Sequence, residues 1–163
     1  MYFSFQTALI LVISTQTEAC PESCQCIYPE ISSLSIECTQ RVNLTQTLNG
    51  IAINNSKIVK VAVVGSGIES IPTALCKLDT LTSLEMRNNS LSHLDPECFR
   101  GMTGLTDLIL RHNNITDLPD HLFDSNKELE TIDLSHNKIQ SIGTYVFSNP
   151  SNLESLTSIQ LQH

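Results

Sequence analysis

LTDLILRHNNI, Leu105 to Ile115, is the stretch on which the fold turns. Its fixed places read L-x-x-L-x-L-x-x-N-x-I and are filled by Leu105, Leu108, Leu110, Asn113 and Ile115. The same spacing stands 24 residues earlier in LTSLEMRNNSL, Leu81 to Leu91, and 24 residues later in LETIDLSHNKI, Leu129 to Ile139. Three copies in register at a fixed period are not a chance event. The Leu-x-Leu alternation makes a short strand with one face inward, so Leu108 and Leu110 point in while Asp107, Ile109 and Arg111 point out. One such strand cannot bury its apolar face alone. Stacked copies form a parallel sheet around a continuous core, which predicts a solenoid.

Each copy repeats two further registers. The chain must turn after the strand, and the turn leaves backbone groups unpaired. An amide both donates and accepts, so Asn89, Asn113 and Asn137 are expected to form a ladder that meets the needs of neighbouring turns. Phe99, Phe123 and Phe147 are also 24 residues apart and are expected to stack as a buried spine on the return segments. Upstream, IVKVAVVGSGI, Ile58 to Ile68, is a degraded first copy. Ile58, Val61, Val63 and Ile68 fit, Ser66 replaces the asparagine, and the step to Leu81 is 23. Downstream, LTSIQLQH, Leu156 to His163, matches the pattern at Leu156, Ile159 and Leu161 and stops one residue before the expected asparagine. No second cysteine cap follows it, which reads as a fragment or a truncated form.

Met1 to Ala19 reads as a secretory signal peptide, with an apolar run from Ala8 to Ile13 and small residues at Thr17 and Ala19. It departs from the usual pattern in having no Lys or Arg near its start. The apolar run is too short to span a membrane and no later stretch qualifies. The expected organisation is therefore a signal peptide at 1–19, a cysteine-rich cap at 20–57 and repeats at 58–163, divided as 58–80, 81–104, 105–128, 129–155 and a partial 156–163. The formal charge is −8, or −7 without Glu18, which argues against nucleic acid and anionic membranes as partners. Four cysteines open the mature chain: Cys20, Cys24, Cys26 and Cys38. In an exported chain they read as a disulfide staple over the open edge of the first repeat, with SLSIE, Ser33 to Glu37, as a strand that could cover it. The rival is a four-thiolate zinc site, whose thiolates would have to survive an oxidising compartment. Cys76 and Cys98 fall on the return segments of adjacent repeats, where coils about 5 Å apart allow a bridge. The alternative is two buried thiols, and a Cys76–Cys98 disulfide is expected because an even number of cysteines in a secreted chain usually pairs fully.

CPESCQC followed by Cys38, joined to these repeats, closely resembles the cysteine-rich N-terminal cap of extracellular leucine-rich-repeat proteins. That family includes Toll-like receptors, Slit-like guidance proteins, small leucine-rich proteoglycans and variable lymphocyte receptors. The resemblance covers essentially all of the mature chain. It implies an α/β solenoid, a leucine-rich-repeat horseshoe with short parallel strands on the concave face, an irregular or 3-10 convex side and a disulfide-stapled N-terminal cap. Caps of this kind pair the first cysteine with the third and the second with the fourth, which implies Cys20–Cys26 and Cys24–Cys38.

Function is expected on the outward strand positions. The concave-face candidates are Glu85, Arg87, Asp107, Ile109, Arg111, His112, Asp133 and His136, a mixed-charge strip better suited to a protein surface than to an apolar ligand. His112, His136 and His163 fall in one column. Such a column could respond to mild acid or hold a metal, or could simply be polar filler before the asparagine. Four sequons, at Asn43, Asn54, Asn88 and Asn114, are glycosylation candidates. No catalytic elbow, phosphate loop or His-Glu metal motif stands in the sequence, so no enzyme, cofactor or metal is expected. The partner expected is a protein or glycoconjugate ligand, with a dimer partner possible. The function expected is recognition, in an innate-immune receptor ectodomain or alternatively in a matrix or axon-guidance scaffold.

Overall fold

The computed structural model describes residue 20 and residues 24–27, 33–39, 57–147 and 155–162. The expected signal peptide, the sequons at Asn43 and Asn54, and His163 lie outside the described residues.

Each Leu-x-Leu alternation forms a strand of three residues, and copies stack one repeat apart. The elements are β1 (Cys24–Ile27), β2 (Ser33–Cys38), β3 (Lys57–Val63), β4 (Ser83–Glu85), β5 (Asp107–Ile109), β6 (Asp117–Leu118), β7 (Thr131–Asp133), β8 (Ser141–Ile142) and β9 (Ser158–Gln160). Among the described residues they make a seven-stranded sheet in the order β1-β2-β3-β4-β5-β7-β9 and a two-stranded sheet of β6 and β8. From β2 onward the large sheet is parallel, and the repeat sets the register: Leu84 lies beside Leu108, and Leu108 beside Ile132. β1 alone runs antiparallel and closes the N-terminal edge. Cys24 sits directly opposite Cys38 in that pairing, and the two are bonded, as are Cys20 and Cys26. The SLSIE stretch does form the covering strand, with Leu34 and Ile36 buried against the first repeat.

The inward rows build one core. Leu81, Leu84, Met86, Leu91, Leu105, Leu108, Leu110, Ile115, Leu129, Ile132 and Leu134 are buried in a single cluster. Phe99 and Phe123 are buried with them and meet edge to face at 5.6 Å between centroids; Phe147, half-buried, lies 6.0 Å beyond Phe123. Packing of this kind supplies most of the driving force, at about 25 cal/mol per Å² of apolar surface removed from water.

The return side is irregular, with three regular pieces. Leu75–Lys77 is a 3-10 turn. Pro96–Gly101 is a short helix, α1: Asp95 caps it by accepting from the Glu97 N–H at 3.0 Å, and Pro96 stands where no donor is needed. Cys76 and Cys98 bond these two pieces together. The approach is close enough that a Cβ on Gly101 would lie 1.9 Å from the Cys76 carbonyl oxygen, so glycine is required there. β6 and β8 are the third piece, a small parallel pair one repeat apart.

Candidate functional site

The outward face of the large sheet is assembled from three columns of alternate residues. The first runs Lys60, Ser83, Asp107, Thr131, Ser158, and the second Ala62, Glu85, Ile109, Asp133, Gln160. The third continues the same strands through Val64, Arg87, Arg111, Ser135 and Gln162. Strands about 4.8 Å apart hold these side chains at fixed spacing.

Two backbone devices make the columns rigid. The first is the asparagine ladder. Asn113 Nδ2 donates to the Met86 and Leu110 carbonyls at 2.8 Å each, and its Oδ1 accepts from the Leu91 N–H at 3.0 Å. Asn137 repeats this with the Leu110 and Leu134 carbonyls and the Ile115 N–H. Asn89 does the same for the degraded first repeat, donating to the Val63 carbonyl and accepting from the Ile68 N–H, and it also accepts from the Ser66 N–H. The second device is a left-handed residue just before each ladder position. Gly65, Asn88, His112 and His136 have φ of 66°, 56°, 56° and 55°. Each donates its N–H to a carbonyl of the following repeat, at 2.6 to 3.2 Å. Glycine, asparagine and histidine are residue types that tolerate this conformation best. The histidine column therefore has a conformational cause. His112 and His136 stack face to face at 4.2 Å, and among the described residues no group of three or more His, Cys, Asp or Glu is arranged to hold a metal ion.

Of the predicted concave-face residues, Glu85, Ile109 and Asp133 share one column of the sheet and Asp107 stands in the next, while Arg87 and Arg111 follow the strands and His112 and His136 occupy the left-handed turn after them. Glu85 and Arg87 are in ion-pair contact along β4. Asp107 accepts from the Thr106 hydroxyl at 2.8 Å. Asp133, expected in the outward mixed-charge strip, is only 9% exposed, and its Oδ1 accepts from the Ser135 N–H at 3.0 Å and hydroxyl at 2.6 Å. The loop residue two positions on has captured the carboxylate, a local competition that alternation alone does not reveal. Ile109 is half-buried and packs outside the core cluster. Of the sequons described, Asn88 is exposed, while Asn114 is half-buried and its N–H is taken by the Leu91 carbonyl.

Two structural polar systems escaped the reading of the sequence. Asn126, fully buried, donates to the Phe99 and Met102 carbonyls at 2.9 and 2.7 Å, tying the convex side of two repeats. It stands in the register of Met102, an apolar place, so no repeated asparagine marks it. Thr82, Thr106 and Thr157 each send both N–H and hydroxyl to one carbonyl of the preceding repeat. The recurrence of threonine after the first leucine in LTSL, LTDL and LTSI was the available signal.

Residues 56–115 and 103–163 each match the family described as Leucine rich repeat. Together these matches span well over half of the sequence, and the chain belongs to the leucine-rich-repeat family. Repeats of this kind mark a protein-interaction module, and the family is typically a non-enzymatic recognition scaffold that binds protein partners. Comparison with curated proteins finds no significant match. The three disulfides suggest an oxidising, extracellular setting. Among the described residues no helix is long and apolar enough to cross a membrane.

Proposed function

We propose that the chain is an extracellular recognition module, secreted or carried as the ectodomain of a membrane protein, that binds its ligand through the concave face. The observation that carries this reading is the in-register stacking of Glu85 beside Ile109, with Arg87 and Arg111 continuing the same strands. Rigid strands thus present charge and apolar surface side by side, and little conformational entropy is lost when a partner docks. The mixed polarity suits a protein ligand first and a glycoconjugate second. The cap and repeats together favour an innate-immune context of the Toll-like type, with a matrix or guidance scaffold as the alternative on the same features. A glycan on the exposed Asn88 would stand at one rim of the face and narrow the approach to it, and Asn43, Asn54 and Asn114 are further candidates.

Photo-crosslinking tests the face. A benzoylphenylalanine at Ile109 or Ser83 should capture a partner from cells or conditioned medium, and the same group at Lys127 or Arg100 should not. Capture from the convex positions alone would put the site on the other side of the molecule. The captured partner, cell-surface protein or matrix component, then separates the two contexts.

A further inference from the structure

Among the described residues, every ionic side chain but one in the three outward columns of the sheet has an ion-pair or hydrogen-bond partner within the chain. Lys60 pairs with Glu37 at 3.3 Å, Glu85 with Arg87, Asp107 with Thr106, and Asp133 with Ser135. Arg111 is the exception: among the described residues no carboxylate pairs with its guanidinium, and its Nε, like that of Arg87, is shut off from solvent without a hydrogen-bond acceptor, so the two arginines differ in the ion pair alone. The contrast with its neighbour one repeat back explains why. Arg87 has Glu85 two residues before it on the same face, whereas Arg111 has Ile109 there. On the other side Asp133 is turned to Ser135.

We propose that Arg111 is the anchor of the concave-face site and binds a carboxylate of an acidic peptide segment, an Asp or Glu side chain flanked by an aliphatic residue. This rests on the concave-face reading above and names the chemistry of its ligand. The incoming carboxylate takes the place beside Arg111 that Glu85 takes beside Arg87. A guanidinium holds a carboxylate through charge-assisted and often paired hydrogen bonds, strongest where water is partly excluded. Ile109, half-exposed and off the core, supplies the apolar contact next to it. The surroundings decide between a protein and a polyanion. Glu37, Glu85, Asp107 and Asp133 outnumber Lys60, Arg87 and Arg111 on this face, and the chain as a whole carries −8. Such a field admits one carboxylate at one guanidinium and repels a dense run of sulfates.

The test is selection of a random twelve-residue display library on the full chain. The wild-type protein should enrich peptides with Asp or Glu next to Leu, Ile or Val. A selected peptide should bind Arg111→Gln at least tenfold more weakly, and Arg111→Glu should enrich Lys or Arg instead. Ile109→Glu, which gives Arg111 an internal partner as Glu85 gives Arg87, should lose the acidic peptides while keeping the melting temperature of the parent. Selection of peptides without an acidic residue, or of none at all, overturns the proposal. So does binding to immobilised heparin that Arg111→Gln abolishes. A peptide that ignores Arg111→Gln but is lost on Ser83→Trp refutes the anchor and leaves the concave-face reading standing; one that ignores both removes that reading as well.

Discussion

Asn113 shows how much a single side chain does in a stacked array. Replacing it with Ala leaves the Leu91 N–H and the Met86 carbonyl without their cross-repeat partner in a site that is 5% exposed. Each unmet buried group costs about 1–3 kcal/mol, so Asn113→Ala should lower stability by roughly 3 kcal/mol in urea unfolding. Asn113→Asp should be worse, because an oxygen would then face two carbonyls; equal midpoints for Asp and Asn would sink the ladder. His136 tests the left-handed column. His136→Val should cost about 1 kcal/mol or more in melting experiments, and His136→Gly should be close to neutral, because only the β-branched residue clashes at φ 55°. Gly101→Ala should cost about 1–3 kcal/mol, since its Cβ would collide with backbone. The ladder residues were legible because they recur every 24 positions; Asn126 was not, because it stands alone in an apolar register. The capture of Asp133 by Ser135 was hidden for a different reason, being a choice of side-chain torsion that period 2 does not encode.

At the scale of elements, the strands were readable from the leucine spacing, since burial forces Leu84, Leu108 and Ile132 into one row. The return side was less so. It lacks a period of its own beyond the phenylalanines, and its pieces differ from repeat to repeat: a 3-10 turn, then a helix, then two short paired strands each followed by turns. The helix nonetheless announces itself in Asp95-Pro96-Glu97, a cap, a first-turn proline and an acid in sequence. Phe123 joins these segments edge to face with Phe99, and Phe123→Ala should cost about 3–5 kcal/mol by leaving a cavity between two repeats. The Cys76–Cys98 bond closes a loop of 22 residues across the same seam. Replacing both cysteines with Ser should lower stability by about 3 kcal/mol, read as a fall in denaturation midpoint against the parent under non-reducing conditions.

For the whole molecule, the order of the sheet follows the order of the chain, because each repeat touches only its neighbours. That made the architecture legible from three copies of one pattern. The outward face was legible only as a set of positions, since outward residues are unconstrained by the core and their pairings, Glu85 with Arg87 above all, arise from side chains meeting across or along strands. Nearest-neighbour stacking also predicts how the molecule opens. Hydrogen exchange should be slowest for the amides of Met86 and Leu110, which donate to the interior repeats that follow them, and reduction of the disulfides should speed exchange first in β1 and β2. Uniform acceleration through all repeats would mean that the cap governs the entire array.

The ladder also has a direction in time. The N–H groups of Ile68, Leu91 and Ile115 are answered by Asn89, Asn113 and Asn137, 21 or 22 residues further on. During synthesis, therefore, a turn that has left the ribosome waits for the next asparagine before its backbone is complete. Growth should then proceed as a zip that closes one coil behind the newest residue, and a translational pause within a repeat should hold open one turn rather than the whole array, which protease sensitivity of arrested nascent chains would show.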